Sequence, residues 1–160
     1  MTGHQVFTTL HTNSALGAFP RLLDIGIQPD IMSGNIIGVI AQRLVRVLCA
    51  HCKEAYAPSK EERQLLGHAG DQVSFLHRSV GCKLCDNKGY KGRTTVMEIL
   101  VMDGDLDELV ARRATAKELR AAAMAKGYRS LSDEGLQRVV DGVTSLTEVA
   151  REIDLTGRYG

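Results

Sequence analysis

Cys49-Ala50-His51-Cys52 and Cys82-Lys83-Leu84-Cys85 hold all four cysteines of the 160-residue chain, and residues 53–81 lie between the two pairs. Two residues between ligands let one turn direct both thiolates at a single ion, and two such turns supply the four ligands that structural zinc prefers. The gap is longer than the roughly 15–20 residues of the simplest zinc-ribbon pattern. The cysteines therefore predict a Zn²⁺ site that holds structure and carries out no chemistry.

Three other uses of the cysteines stay open at this point. They are two disulfides, an iron–sulfur cluster, or four ordinary thiols in a site that no longer binds metal. The first residues show no secretory signal, so we expect a cytoplasmic chain, in which thiols stay reduced. His51 and His77 lie close enough in sequence to compete as ligands, but a complete cysteine set predicts that both are surface histidines.

The composition limits the class of protein. Apolar residues make up 44% of the chain and aromatic residues 4%, with no tryptophan, which predicts an aliphatic core. The net charge of +1 lacks the basic excess of a dedicated nucleic-acid binder. The most apolar stretch, residues 31–49, is interrupted by Asn35, Gln42 and Arg46, and falls short of the roughly 20 apolar residues that span a bilayer. No membrane insertion is expected.

Before the first cysteine pair, the pattern predicts a strand, two helices and a second strand. Residues 5–10 are rich in β-branched and aromatic side chains, which indicates a buried strand. Asn13 or Ser14 would cap a helix that Gly26 ends. Asp30 would cap the next helix, whose apolar stripe is formed by Met32, Ile36, Ile40 and Leu44. Residues 45–48 would then form a short strand.

After the first cysteine pair, turn and capping signals predict the remaining elements. Ser59 and Glu62 have capping-box spacing for a short helix that ends at Gly67. Strands are predicted at 73–76 and 94–101, and the pattern becomes helical from Asp103. Three short helices are expected there, and their capping pairs and C-cap glycines are Thr115 with Glu118, Ser145 with Glu148, Gly127 and Gly142.

Residues 3–13 place one histidine before the predicted strand and a His-Thr-Asn cluster after it. Ligands bind at the carboxyl ends of the strands of open α/β sheets, so these side chains are candidates for a ligand site. Spacing alone gives equal support to an ordinary loop histidine followed by an Asn-Ser helix cap.

The same segment resembles the histidine box of the type II secretion and type IV pilus assembly ATPases. The resemblance continues in the right order through most of the chain, and its further motifs are Ala41-Gln42-Arg43-Leu44-Val45-Arg46, the two cysteine pairs, Gly89-Tyr90-Lys91-Gly92-Arg93 and Gly142-Val143-Thr144-Ser145-Leu146. The four-cysteine element is similar to that of the secretion and pilus-extension branches, whereas retraction motors lack it as a family.

The resemblance implies an α/β fold, namely the C-terminal portion of a RecA-like parallel-sheet ATPase domain with a four-cysteine zinc subdomain and a C-terminal helical bundle. The corresponding segments are 1–48, 49–102 and 103–160. It also implies a hexameric motor that hydrolyses ATP with Mg²⁺, lies in the cytoplasm beside the inner membrane, and works with inner-membrane secretion or pilus platform proteins.

The resemblance covers only part of such a motor. The phosphate loop Gly-x-x-x-x-Gly-Lys-Ser/Thr does not occur in the sequence, and the acidic and Walker B segments that precede the histidine box in the family are missing as well. Backbone amides and a lysine that hold phosphates are therefore absent. We expect a truncated chain or a gene remnant that is inactive on its own.

The family's functional residues carry over to six positions. His11 would sense the γ-phosphate, with His4, Thr9 and Thr12 at the same end of the strand. Arg21 would stabilise charge between subunits, and Arg93 would lie near the nucleotide. Gln42 and Arg43 are interpreted as structural. For Arg21 and Arg93, an ordinary exposed arginine on a helix or after a turn remains the alternative.

A rival interpretation needs no resemblance. A free-standing zinc module would bind a protein or nucleic acid without nucleotide chemistry. The segment between the cysteine pairs mixes charge signs, as in Lys60-Glu61-Glu62-Arg63, and has no aromatic-interleaved basic strip on which bases would stack. We therefore expect no nucleic-acid partner.

Overall fold

The computed structural model describes residues 3–156, with the side chains of residues 68 and 69 excepted, and shows a mixed α/β protein. A 3₁₀ turn covers Lys83–Cys85. The helices and strands in chain order are α1 (Ala18–Asp24), α2 (Pro29–Met32), β1 (Gly38–Leu48), β2 (Glu54–Tyr56), α3 (Lys60–Leu66), α4 (His68–Gln72), β3 (Leu76–Arg78), β4 (Tyr90–Val101), α5 (Gly104–Ala111), α6 (Ala116–Ala125), α7 (Leu131–Val140) and α8 (Leu146–Glu152).

The strands form two ribbons of two strands each. β1 pairs with β4. The Met102 N–H donates to the Ile37 carbonyl at one end of this pair, and the Cys49 N–H donates to the Gly89 carbonyl at the other, so the two strands run antiparallel. β2 and β3 are antiparallel as well, with Ala55 opposite His77. No parallel pair occurs among residues 3–156.

The chain divides into two compact units. The first comprises residues up to Ala41 and Ile99–Tyr128, and the second comprises Gln42–Glu98 and the residues from Arg129 onward. In the first unit, α5 packs against α2 and α6. The buried aliphatic and aromatic side chains of this unit include Leu16, Phe19, Met32, Leu100, Leu106, Val110 and Leu119.

The second unit joins the cysteine region to the last two helices. β1 is linked to the turn after α7, because the Leu48 N–H donates to the Val143 carbonyl over 2.9 Å. The fully buried Glu98 of β4 accepts from the Leu131 N–H at the start of α7, where a carboxylate is favourable. The core of this unit includes Val45, Leu48, Leu76, Val96, Leu136, Val139 and Val149.

The predicted strand at residues 5–10 is wrong. These residues have no regular secondary structure, and the side chains of Val6 and Phe7 are 82% and 94% exposed. A strand needs a neighbour to satisfy its backbone hydrogen bonds, and no described residue pairs with this segment. The strand-forming composition is therefore present without the pairing that would make it a strand.

The predicted helix from Asp30 to Leu44 is also wrong beyond its first turn. α2 ends at Met32, and β1 begins at Gly38. A spacing of four residues falls on one face of a helix and equally on one face of a strand. Ile40 and Leu44 lie on the exposed face of β1, while Ala41 and Val45 are buried.

The capping signals are confirmed more fully than the number of helices. Reciprocal capping boxes begin α3 at Ser59 and α6 at Thr115. Between residues 104 and 156 there are four helices instead of three, with α5 and α6 in the first unit and α7 and α8 in the second. The predicted C-terminal bundle is thus not found as one compact unit. No helix of residues 3–156 is long and apolar enough to cross a membrane.

Candidate functional site

The four cysteines meet at one point in the second unit. Their sulfur atoms all lie within 4.8 Å of one another. The Sγ–Sγ distance is 4.0 Å between Cys49 and Cys82, and 3.8 Å both between Cys52 and Cys85 and between Cys82 and Cys85. A tetrahedral ion bound about 2.3 Å from each sulfur requires sulfurs about 3.8 Å apart. A disulfide requires a separation of about 2.05 Å, so these are free cysteines arranged to hold one metal ion.

Tight turns place the two members of each pair. After β1 the Cys52 and Lys53 N–H groups both donate to the Cys49 carbonyl. In the second pair the 3₁₀ turn follows Cys82 directly. Cys49 and Cys85 are buried, and Cys52 and Cys82 are half-buried. Each turn is formed by neighbouring residues and does not require a large hydrophobic core around it. The cysteine spacing alone therefore predicts the site.

Backbone N–H donors favour the thiolate form of one of the four cysteines, Cys85. Burial by itself raises the pKa of the Cys85 thiol, but the N–H groups of Cys82 and Gly89, each 3.2 Å from its sulfur, lower that pKa to about 6. Burial raises the pKa of the Cys52 thiol. Four thiolates at these distances repel one another unless a cation lies between them, so the donor set fits a metal ion.

A lysine beside the cysteines connects them to the turn after α7. Lys53 Nζ donates to the Gly142 carbonyl over 2.8 Å. The prediction that His51 is a surface histidine is confirmed, but the same prediction for His77 is wrong. His77 is half-buried, and its buried Nδ1 makes no hydrogen bond within the described chain. Burial and then the Lys53 ammonium lower the pKa of His77.

We expect the unfolding free energy to increase with pH around the ordinary His pKa of about 6.5. Because the pKa of His77 is lowered in the folded state, the unfolded chain binds more protons, and stability is lost as pH falls through this range. Replacing His77 by asparagine should flatten the profile between pH 5 and 8. Urea unfolding of both proteins measures this, and metal release at low pH cancels in the comparison. Parallel profiles would contradict the prediction.

Any side chain at position 142 is expected to lower the unfolding free energy. The φ of +67° at Gly142 favours glycine, and a Cβ would lie 2.8 Å from His77 Nδ1. Gly127 has a φ of +88° with nothing within 4 Å, so Gly127→Ala carries the backbone cost alone. We expect Gly142→Ala to cost about 1–3 kcal/mol more than Gly127→Ala, from overpacking. Chemical denaturation of both variants measures the difference, and equal costs would show that His77 moves away freely.

The sequence did not predict the ion pairs of one buried carboxylate in the second unit. Glu148, only 1% exposed, accepts from the Arg46 backbone N–H and from the side chains of Arg46 and Arg151. Burial opposes the charged form, but the hydrogen bonds from Arg46 outweigh it and lower the pKa of Glu148. The Arg46 guanidinium stacks 4.1 Å above the Tyr90 ring. Sequence gave Glu148 only a capping role, because its partner lies 102 positions away.

The histidine-box residues are not gathered into a pocket in the described chain. His4, Thr9 and His11 are exposed in the segment that lacks regular structure, and Thr12 Oγ1 donates to the Ser14 carbonyl. Arg21 is exposed on α1 in the first unit. Arg93 is exposed on β4 in the second unit, where it lines a groove with Arg46 and Tyr90. Their functional roles stay predictions.

The chain is similar to secretion and pilus proteins over nearly its whole length. The sequence profile described as "Type II/IV secretion system protein" matches residues 1–151. "Type II secretion system ATPase E" of Vibrio cholerae is 45% identical over 155 residues, covering 94% of this chain and 30% of that protein. "Type IV pilus assembly ATPase PilB" of Thermus thermophilus is 40% identical over 157 residues, covering 96% and 18%. The chain thus spans less than a third of these relatives, and it belongs to the type II/IV secretion system protein family.

Proposed function

We propose that this chain is the C-terminal part of the hexameric ATPase that powers type II secretion or type IV pilus assembly. The family match over residues 1–151 carries the proposal. In this role, residues 1–48 complete a RecA-like parallel-sheet core, residues 49–102 form the metal subdomain with its return strands, and residues 103–160 form the helical part. The assembled motor would act in the cytoplasm on inner-membrane platform proteins.

The metal in this proposal is a structural Zn²⁺ ion. Four sulfurs spaced for a tetrahedron leave no open position for a substrate or a reactive water. Bound Zn²⁺ would neutralise thiolate charge and hold the two cysteine turns together. Its ligands would be Cys49, Cys52, Cys82 and Cys85. The hydrogen bond from Lys53 to the Gly142 carbonyl would link this metal site to the turn after α7.

Nucleotide chemistry in this proposal requires more than this chain. His11 and Arg21 would act in catalysis, while His4, Thr9, Thr12 and Arg93 would lie near the nucleotide. Without a phosphate loop and a magnesium-binding carboxylate, the positioning and charge neutralisation that drive phosphoryl transfer are missing. The chain alone would therefore not hydrolyse ATP at a useful rate, and Mg²⁺ and ATP would be cofactors of the assembled motor.

A chimera tests this function. The part of the Vibrio cholerae ATPase E that aligns with this chain would be replaced by it, and ATP hydrolysis and oligomeric state would be measured. We expect an active oligomer whose kcat falls by about tenfold or more in His11→Ala, if His11 acts in the transition state. His51→Ala, an exposed histidine outside the histidine box, is the matched control. A folded hexameric chimera without ATPase activity would overturn the proposal.

A further inference from the structure

An open groove of about 730 Å³ in the second unit is lined by eleven residues, of which five carry cationic side chains. These are Arg43, Arg46, Lys88, Arg93 and Arg151, and the carboxylates that accompany them are Glu148 and Glu152. The cations thus outnumber the carboxylates in a chain whose overall net charge is only +1. A positive groove on a nearly neutral protein raises the local concentration of anions.

The carboxylate of Glu148 does not cancel this charge at the surface. It is only 1% exposed, whereas the side chains of Arg46 and Arg151 are 38% and 53% exposed. Glu148 therefore lies behind the two guanidinium groups and fixes the position of Arg46, whereas Arg151 is held by both Glu148 and the 33% exposed Glu152. The Tyr90 ring supports Arg46 from one side. Arginines held in place before a ligand arrives lose little side-chain entropy on binding, and their planar N–H donors match phosphate oxygens.

Two further cations on the groove remain available to a ligand. Lys88 is exposed, and its ion pair with Asp86 is long, at 3.9 Å. Arg93 is exposed and forms no ion pair with any residue between 3 and 156. Between them Gly92 has no heavy atom within 4 Å of the position of a Cβ, so the backbone there is open to approach.

We propose that this groove binds the phosphate groups of a ligand that carries at least two of them. Several cations around one groove repel one another, and a single anionic charge offsets only part of that repulsion, whereas adjacent phosphates offset more of it. The proposal goes beyond the nucleotide role given to Arg93, because it needs neither a phosphate loop nor an assembled motor. It can therefore fail while the proposed ATPase function stands, and the reverse also holds.

Calorimetric titration of the zinc-loaded chain tests the proposal, at about 0.15 M salt, where long-range attraction is screened. The probes are inorganic triphosphate, ATP and adenosine. We expect saturable one-site binding of triphosphate and of ATP and none of adenosine. ATP binding more tightly than triphosphate would identify a nucleotide as the source of the phosphates, and equal affinity would show that the phosphates alone are recognised.

Two double variants separate a site from general charge attraction. Lys88→Gln with Arg93→Gln should weaken triphosphate binding by about tenfold or more, since two ligand contacts are removed. Lys117→Gln with Arg120→Gln makes the same charge change on exposed positions of α6 and should leave the affinity unchanged. Metal content and far-ultraviolet circular dichroism confirm that both variants are folded. No saturable binding by the unaltered chain, or equal weakening in the two variants, would overturn the proposal.

Discussion

Replacing Cys52 by serine is expected to abolish stoichiometric metal binding and to lower the melting temperature by about 10 °C, because a tetrahedral ion loses one of its four ligands. A ligand that binds only the folded state at 1,000 times its dissociation constant contributes about 4 kcal/mol. For about 150 residues, each kcal/mol shifts the melting temperature by about 2–4 °C. Metal analysis of protein purified without chelator, together with calorimetric melting, measures both effects.

His51→Asn provides the matched control for this substitution. His51 lies in the same turn, one residue before Cys52, and is exposed. The control should keep one metal ion per chain and the original melting temperature. A strong chelator added to the unaltered protein should reproduce the melting temperature of Cys52→Ser and release four titratable thiols. Unchanged metal content and melting in Cys52→Ser would show that the cysteine cluster is not a working metal site.

Features encoded by a few neighbouring residues could be predicted from the sequence. The cysteine pairs meet because each pair needs only its own turn and the antiparallel β1 and β4 ribbon to bring the two turns together. The capping boxes at Ser59 and Thr115 need only residues three positions apart. Such local signals involve residues within one turn of the chain, so they do not depend on how distant segments pack.

Features that depend on distant partners could not be predicted. Residues 5–10 carry strand-forming side chains, but strand formation also requires a neighbouring backbone, which sequence composition does not report. Apolar residues four apart at 36, 40 and 44 fit both periodicities, and only pairing with β4 selects the strand. The ion pair of Arg46 and Glu148 and the bond from Lys53 to Gly142 join positions 102 and 89 residues apart.

Glu148→Ala is expected to reduce the unfolding free energy by about 2–4 kcal/mol, because three hydrogen bonds lose the buried, charged acceptor that they share. The substitution leaves the Arg46 backbone N–H and two guanidinium groups without the acceptor they share. It also frees α8 from β1, since Glu148 is the first-turn residue of α8 that reaches Arg46. Urea unfolding of the metal-saturated protein at neutral pH measures the loss.

Glu152→Ala is the matched control on the same helix. Glu152 is 33% exposed and pairs only with Arg151 among residues 3–156, so its removal should cost about 0–1 kcal/mol, as for a surface ion pair. The pKa of Glu148 is lowered in the folded state, so its contribution is present above the ordinary carboxyl range and lost as pH falls through the folded pKa. Stability of Glu148→Ala should therefore depend less on pH than that of Glu152→Ala in this acidic range. Similar costs for the two variants at neutral pH would show that the Glu148 cluster does not hold α8 on β1, and would remove the anchor on which the positions of Arg46 and Arg151 in the groove depend.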